Sequence, residues 1–163
     1  MATVDEGEVS PREQKDPLAD RFTLDGGGAC IAEARHLAAE FLDLARWEYD
    51  VQVSQRAEDL TQLVVSELVT NACKYAPGTV AVDLRVVGHT VEIAVSDGDP
   101  VLPVVQGSDA DRVGQHGLEI VAAVVQSLEA RVEADGKSLI ARIALTDEAQ
   151  DRAAAPRPCR TPT

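Results

Sequence analysis

The hydrophobic period of this chain switches between helical and extended spacing in a fixed order, and that order limits the fold more than any other feature. Over about residues 54–76 apolar side chains recur at helical spacing until Pro77-Gly78 stops them. Strict alternation follows. Val80, Val82, Leu84 and Val86 alternate with Ala81, Asp83 and Arg85, and after a Gly88-His89 turn Val91, Ile93 and Val95 alternate with Glu92, Ala94 and Ser96. A second pair of strands, residues 128–134 and 139–145, flanks Asp135-Gly136, a hairpin signal. Strands joined by so short a turn must run antiparallel.

The remaining elements are a short strand over residues 21–25, an Ala-rich helix over about residues 31–47 after Gly26-Gly27-Gly28, and an almost wholly apolar helix over residues 118–125. Residues 98–116 read as a loop rich in Asp, Gly, Pro and Ser. The order predicts an α/β (α+β) two-layer sandwich: one mixed, mostly antiparallel sheet of about five strands, covered on one face by about three helices. A doubly wound sheet needs regular strand–helix alternation and does not fit.

At 163 residues there is room for one core. Aromatic residues are 3% of the chain, so Ala, Val, Leu and Ile must fill it. The folded domain is expected over residues 21–146. Residues 1–20, acidic and carrying Pro11 and Pro17, read as a flexible arm, and residues 147–163 as a Pro/Ala/Arg tail; each is either plain disorder or a partner-binding motif.

Fifteen Lys and Arg against 28 Asp and Glu give a net charge of −13, which argues against nucleic acid and anionic membranes as partners. The start lacks the basic residues of a signal peptide and no apolar run reaches the length of a membrane span, so a cytoplasmic chain is expected. Cys30, Cys73 and Cys159 are far apart in sequence, without CxxC spacing, and read as free thiols.

Polar residues intrude where the helical pattern over residues 54–76 should be apolar. At about 100° per residue, Glu67, Asn71 and Lys74 fall inside the arc drawn by Leu60, Leu63, Val64, Leu68 and Ala72. Either Glu67 pairs with Lys74 or caps a loop, or the three meet water, a metal or a ligand. Asp97 continues the inward phase of Val91, Ile93 and Val95, and Gly98 behind it allows close approach. The carboxylate either reads a ligand edge or caps the next turn. Gly114-Gln115-His116-Gly117 precedes the apolar helix, where free N–H groups suit an anion. His116 lacks a second His or Cys at ligand spacing, and His36 reads as solvated.

Taken in order, residues 67–72 (ELVTNA), 97–100 (DGDP) and 114–121 (GQHGLEIV) resemble the N, G1 and G2 boxes of the histidine-kinase-like ATPase superfamily with its Bergerat fold. The SELVTN wording at 66–71 and the GxxGLxxV form are similar to the branch of anti-sigma-factor serine/threonine kinases and related stand-alone bacterial regulators. The resemblance spans roughly residues 22–145. It implies ATP and Mg2+ as cofactors, with Asn71 on Mg2+, Glu67 as general base, Lys74 near the phosphates and Asp97 on the adenine amino group. It also implies that Gly98, Gly114, His116, Gly117 and Leu118 line the nucleotide site, with residues 99–116 as its lid. Asp99 and Val101 stand where the usual DxGxG box has glycines. The partners implied are a sigma factor or its antagonist protein, and a homodimer through the first helix or a sheet edge is compatible. Three functions compete: a kinase for the antagonist, a nucleotide-dependent binding regulator without kinase activity, and a scaffold that binds no nucleotide.

Overall fold

The structure is a computed structural model that describes residues 18–75, 78–98 and 116–147. Its elements are β1 (Ala19–Asp25), α1 (Cys30–Glu48), α2 (Gln55–Tyr75), β2 (Thr79–Val87), β3 (Thr90–Asp97), α3 (His116–Val124), β4 (Ser127–Glu133) and β5 (Gly136–Ala144). This is the order expected from the sequence. The five strands form one sheet, β1-β2-β3-β5-β4, in which every neighbouring pair is antiparallel, so no parallel pair makes the sheet mixed. Of the two expected tails, residues 18–20 and 147 are described and the rest lie outside the described residues. Leu18 is buried, its carbonyl accepts from the Val86 N–H, and β1 begins at Ala19, two residues earlier than expected.

The alternation of β2 and β3 sorts their side chains onto two faces. Val80, Val82, Leu84, Val91, Ile93 and Val95 are buried against the helices. The opposite face carries polar cross-strand pairs instead: Glu92 with Arg142 at 3.0 Å and Ser96 with Ser138 at 2.6 Å. In α2, Val64, Val65, Leu68, Val69 and Ala72 supply the buried stripe, and in α1 the small residues Ala34, Ala38 and Ala45 bring the helices close. Leu118 and Val121 of α3 complete this layer.

Two polar devices set the start of α2. The Ser54 hydroxyl accepts from the Ala57 N–H at 3.0 Å, an N-cap. Arg46 of α1 donates to Glu58 at 3.0 Å and to the Val53 carbonyl at 3.1 Å, tying the end of α1 to the beginning of α2. α2 thus crosses the sheet over β3 and β5, and its last turn brings Cys73 within electrostatic range of the end of β3. Asp97 stands there.

Candidate functional site

The residues singled out on α2 meet different environments. Asn71 is 5% exposed, and neither its Oδ1 nor its Nδ2 has a hydrogen-bond partner among the described residues. An amide buried in this way costs about 1–3 kcal/mol for each unsatisfied group. Glu67, one turn earlier, is half-buried, while Lys74 is exposed. The expectation that Lys74 shares the buried stripe is therefore corrected: Ala72 in the same turn is packed in the core, but the Lys74 side chain lies at the surface.

Glu67 leans against the first turn of α3. A Cβ built at Gly117 would collide with its Oε2 and lie 3.0 Å from its Cδ, so the absence of a side chain at Gly117 lets the carboxylate occupy that place. On its other side Glu67 borders a surface groove of about 360 Å³, lined by Arg35 of α1 and by Asp59, Gln62, Leu63 and Ser66 of α2. The acid is thus held between a helix N-terminus and an open groove. A trough of about 510 Å³ lies on the sheet face turned away from the helices, lined by Arg21, Asp83, Arg85, Glu92 and Arg131 among others, and none of these residues belongs to the α2 cluster.

At the end of β3 the structure adds a partner that sequence reading missed. The Lys137 ammonium donates to Asp97 Oδ1 at 3.0 Å, and both side chains are only 2% exposed. The pair is a register consequence: Asp97 and Lys137 are directly opposite in the β3–β5 ladder, beyond the core pair Val95 and Leu139. A signal was present. Lys137 continues the phase of Leu139, Ala141 and Ile143 just as Asp97 continues that of Val95, but it stands directly after the Asp135-Gly136 turn, where strand alternation is hard to read.

The glycine that permits this contact is Gly136 and not Gly98. A Cβ at Gly136, whose φ is +152°, would collide with the Asp97 carbonyl, whereas one at Gly98 would meet only the Asp135 carbonyl, at 3.9 Å. Gly114 lies outside the described residues. His116 opens α3 through its backbone, its side chain lying outside what is described, and Leu118 is packed in the core.

Two thiols also meet. Cys30 Sγ and Cys73 Sγ are 3.2 Å apart, although 43 positions separate them. Burial first, and then the hydrogen bond and proximity of Cys30, push the Cys73 thiol from 9.0 up to about 11. Both cysteines are free, as expected. Their distance in sequence does not carry over into space.

A model of the histidine kinase-like ATPase domain matches residues 30–143. The fold is similar to the nucleotide-free catalytic domain of the histidine kinase ThkA, at TM-score 0.47 and 11% identity over 80% of this chain and 99% of that one. It is also similar to the kinase domain of a blue-light-activated histidine kinase from Erythrobacter litoralis, at TM-score 0.45 and 17% identity over 76% of this chain and 66% of that one. No curated protein matches the chain. No helix among the described residues is long and apolar enough to cross a membrane.

Proposed function

The chain belongs to the histidine kinase-like ATPase domain family, which matches it over residues 30–143, and from that premise we propose that it is an ATP-binding regulatory protein working as an anti-sigma-factor-like serine/threonine kinase. Its substrate is a Ser or Thr of an antagonist protein, and its other partner is a sigma factor that it sequesters. The observation that carries this reading is Asn71, whose buried amide has no partner among the described residues. A polar group kept in such a place calls for a partner, and a bound ligand can supply it.

The amide fits Mg2+. This small, hard cation takes one or two protein oxygens and fills its octahedral shell with phosphate and water. Among the described residues no group of three or more His, Cys, Asp or Glu is gathered to hold a metal. Held by Asn71, Mg2+ would offset the negative charge of the phosphates.

The chain's own residues divide the rest of the work. Glu67 accepts the proton of the attacking hydroxyl, which reaches it from the side of the groove beside Arg35. The hydroxyl oxygen bonds to the γ-phosphorus while the bond to the β,γ-bridging oxygen breaks, and ADP leaves with that electron pair. Gly117 keeps the carboxylate at the head of α3. Lys74, exposed at the end of α2, steadies the phosphates, and Asp97 accepts from the adenine amino group once Lys137 shares it.

Incubation with labelled ATP and the antagonist protein tests this. Glu67→Ala is expected to bind ATP but to place no label on the partner, and Asn71→Ala to lose Mg2+-dependent binding. Undiminished transfer by Glu67→Ala removes Glu67 as the base.

A second reading has its own support. Lys137 already occupies Asp97, and Asp99 and Val101 stand where glycines are usual in the family pattern. In that reading ATP only sets the shape of a protein-binding surface, and the wild-type chain leaves the antagonist unlabelled while binding it in a nucleotide-dependent way. Exposed Leu44 and Trp47 near the end of α1 support a protein-facing surface there, for a partner or a second copy. A cytoplasmic location, without nucleic acid or membrane as partner, completes the proposal.

A further inference from the structure

The two thiols of Cys30 and Cys73 stand apart from the proposed phosphoryl chemistry, and nothing in that chemistry uses them. Cys30 is the first residue of α1, and Cys73 lies in the last turn of α2. Their sulfurs, at 3.2 Å, need to approach by only about 1 Å to reach the length of a covalent S–S bond. The two differ in access. Cys30 is buried, whereas Cys73 is half-buried and is the one a small molecule from solution meets first.

We infer that Cys30 and Cys73 form a redox modification site, a dithiol that closes to an intramolecular disulfide by exchange with a low-molecular-weight disulfide such as oxidised glutathione. Cys73, the more accessible sulfur, gives up its proton as it attacks one sulfur of the small disulfide; because burial holds that proton tightly, the exchange is slow and needs long incubation. That S–S bond breaks, one small thiol leaves with a proton, and a mixed disulfide remains on Cys73. Cys30 then attacks the Cys73 sulfur and expels the second small thiol. In sum two electrons and two protons pass from the cysteine pair to the small disulfide, which becomes two thiols. The buried position of Cys30 suits this second, intramolecular step, because the sulfur it must reach is already adjacent.

The product joins the head of α1 to the final turn of α2, the turn that carries Lys74 and follows Asn71. In the unfolded chain it closes a long loop, so the oxidised protein should gain about 10 °C in its unfolding midpoint. Amide exchange in the last turn of α2 should slow by roughly tenfold. None of these readouts needs nucleotide, so their failure is distinguishable from failure of the ATP-binding reading.

The test uses the full chain with Cys159→Ser, which leaves both inferred partners in place. After incubation of the folded protein with oxidised glutathione, the expected result is a chain lighter by about 2 Da, with the Cys30 and Cys73 peptides linked and both thiols lost to a thiol reagent added in denaturant. Dithiothreitol should restore the thiols and the original midpoint. In Cys30→Ser, which lacks the resolving thiol, a stable glutathione adduct should accumulate on Cys73. Two free thiols after exchange, or a glutathione adduct that persists in the chain with both cysteines, would overturn the inference. So would a disulfide that leaves amide exchange in α2 unchanged.

Discussion

Asn71 is a side chain whose burial lowers the stability of the folded protein. Replacing it by the near-isosteric leucine removes two unsatisfied polar groups, so Asn71→Leu should be more stable than wild type by about 1–2 kcal/mol without nucleotide. Mg2+-dependent ATP binding should be lost in the same variant; chemical denaturation and calorimetry read the two effects separately. Lys137 behaves oppositely. Lys137→Ala leaves Asp97 charged and buried without its 3.0 Å partner and should cost about 3 kcal/mol. A third expectation concerns pH. Because folding raises the Cys73 pKa to about 11, the folded chain holds this proton more tightly than the unfolded chain. The stabilisation is whole below about pH 9 and is lost as pH rises towards 11, a slope that Cys73→Ser should remove. At this scale the sequence was partly legible. Glu67, Asn71 and Asp97 announce themselves because each breaks a periodic apolar face, whereas Lys137 breaks one just as clearly but hides beside a turn.

Helix and strand contacts decide how those side chains are presented. Where α3 meets α2, Gly117 leaves room for a flexible carboxylate rather than for backbone. Gly117→Ala should therefore fold with little loss of stability, because the end of Glu67 can swing aside, while phosphoryl transfer falls by roughly tenfold or more as the base is displaced. Gly136 is different in kind. Its φ of +152° and its approach to the Asp97 carbonyl are both fixed by the β3–β5 ladder, so Gly136→Ala should cost about 3 kcal/mol or more and show it as a lower unfolding midpoint. Element identity was readable throughout, since it depends on local spacing. The contacts that make one glycine tolerant and another intolerant were not. The sequence marks Gly98 as a place where a ligand can come close, but nothing in it marks Gly136 as the glycine that lies against the Asp97 carbonyl.

For the whole molecule, ligand linkage is the simplest check on the proposed function. ATP with Mg2+ at about 100 times its dissociation constant should stabilise the native state by about 2.7 kcal/mol, some 8 °C for a chain of this size, and Asn71→Leu should show none of that gain. The net charge of −13 adds that a partner with a basic surface should associate more slowly as salt is raised. The sequence by itself determined the order of helices and strands, the antiparallel sense of the hairpins and the one-sided helical layer, because hydrophobic period and turn residues act between near neighbours. Only the tertiary structure decided that β5 slips between β3 and β4. That placement sets Lys137 against Asp97 across 40 positions, while the packing of α1 on α2 brings Cys30 to Cys73 across 43. Such meetings depend on which edges and faces bury the most apolar surface together, a property of the assembled layers that no local spacing encodes.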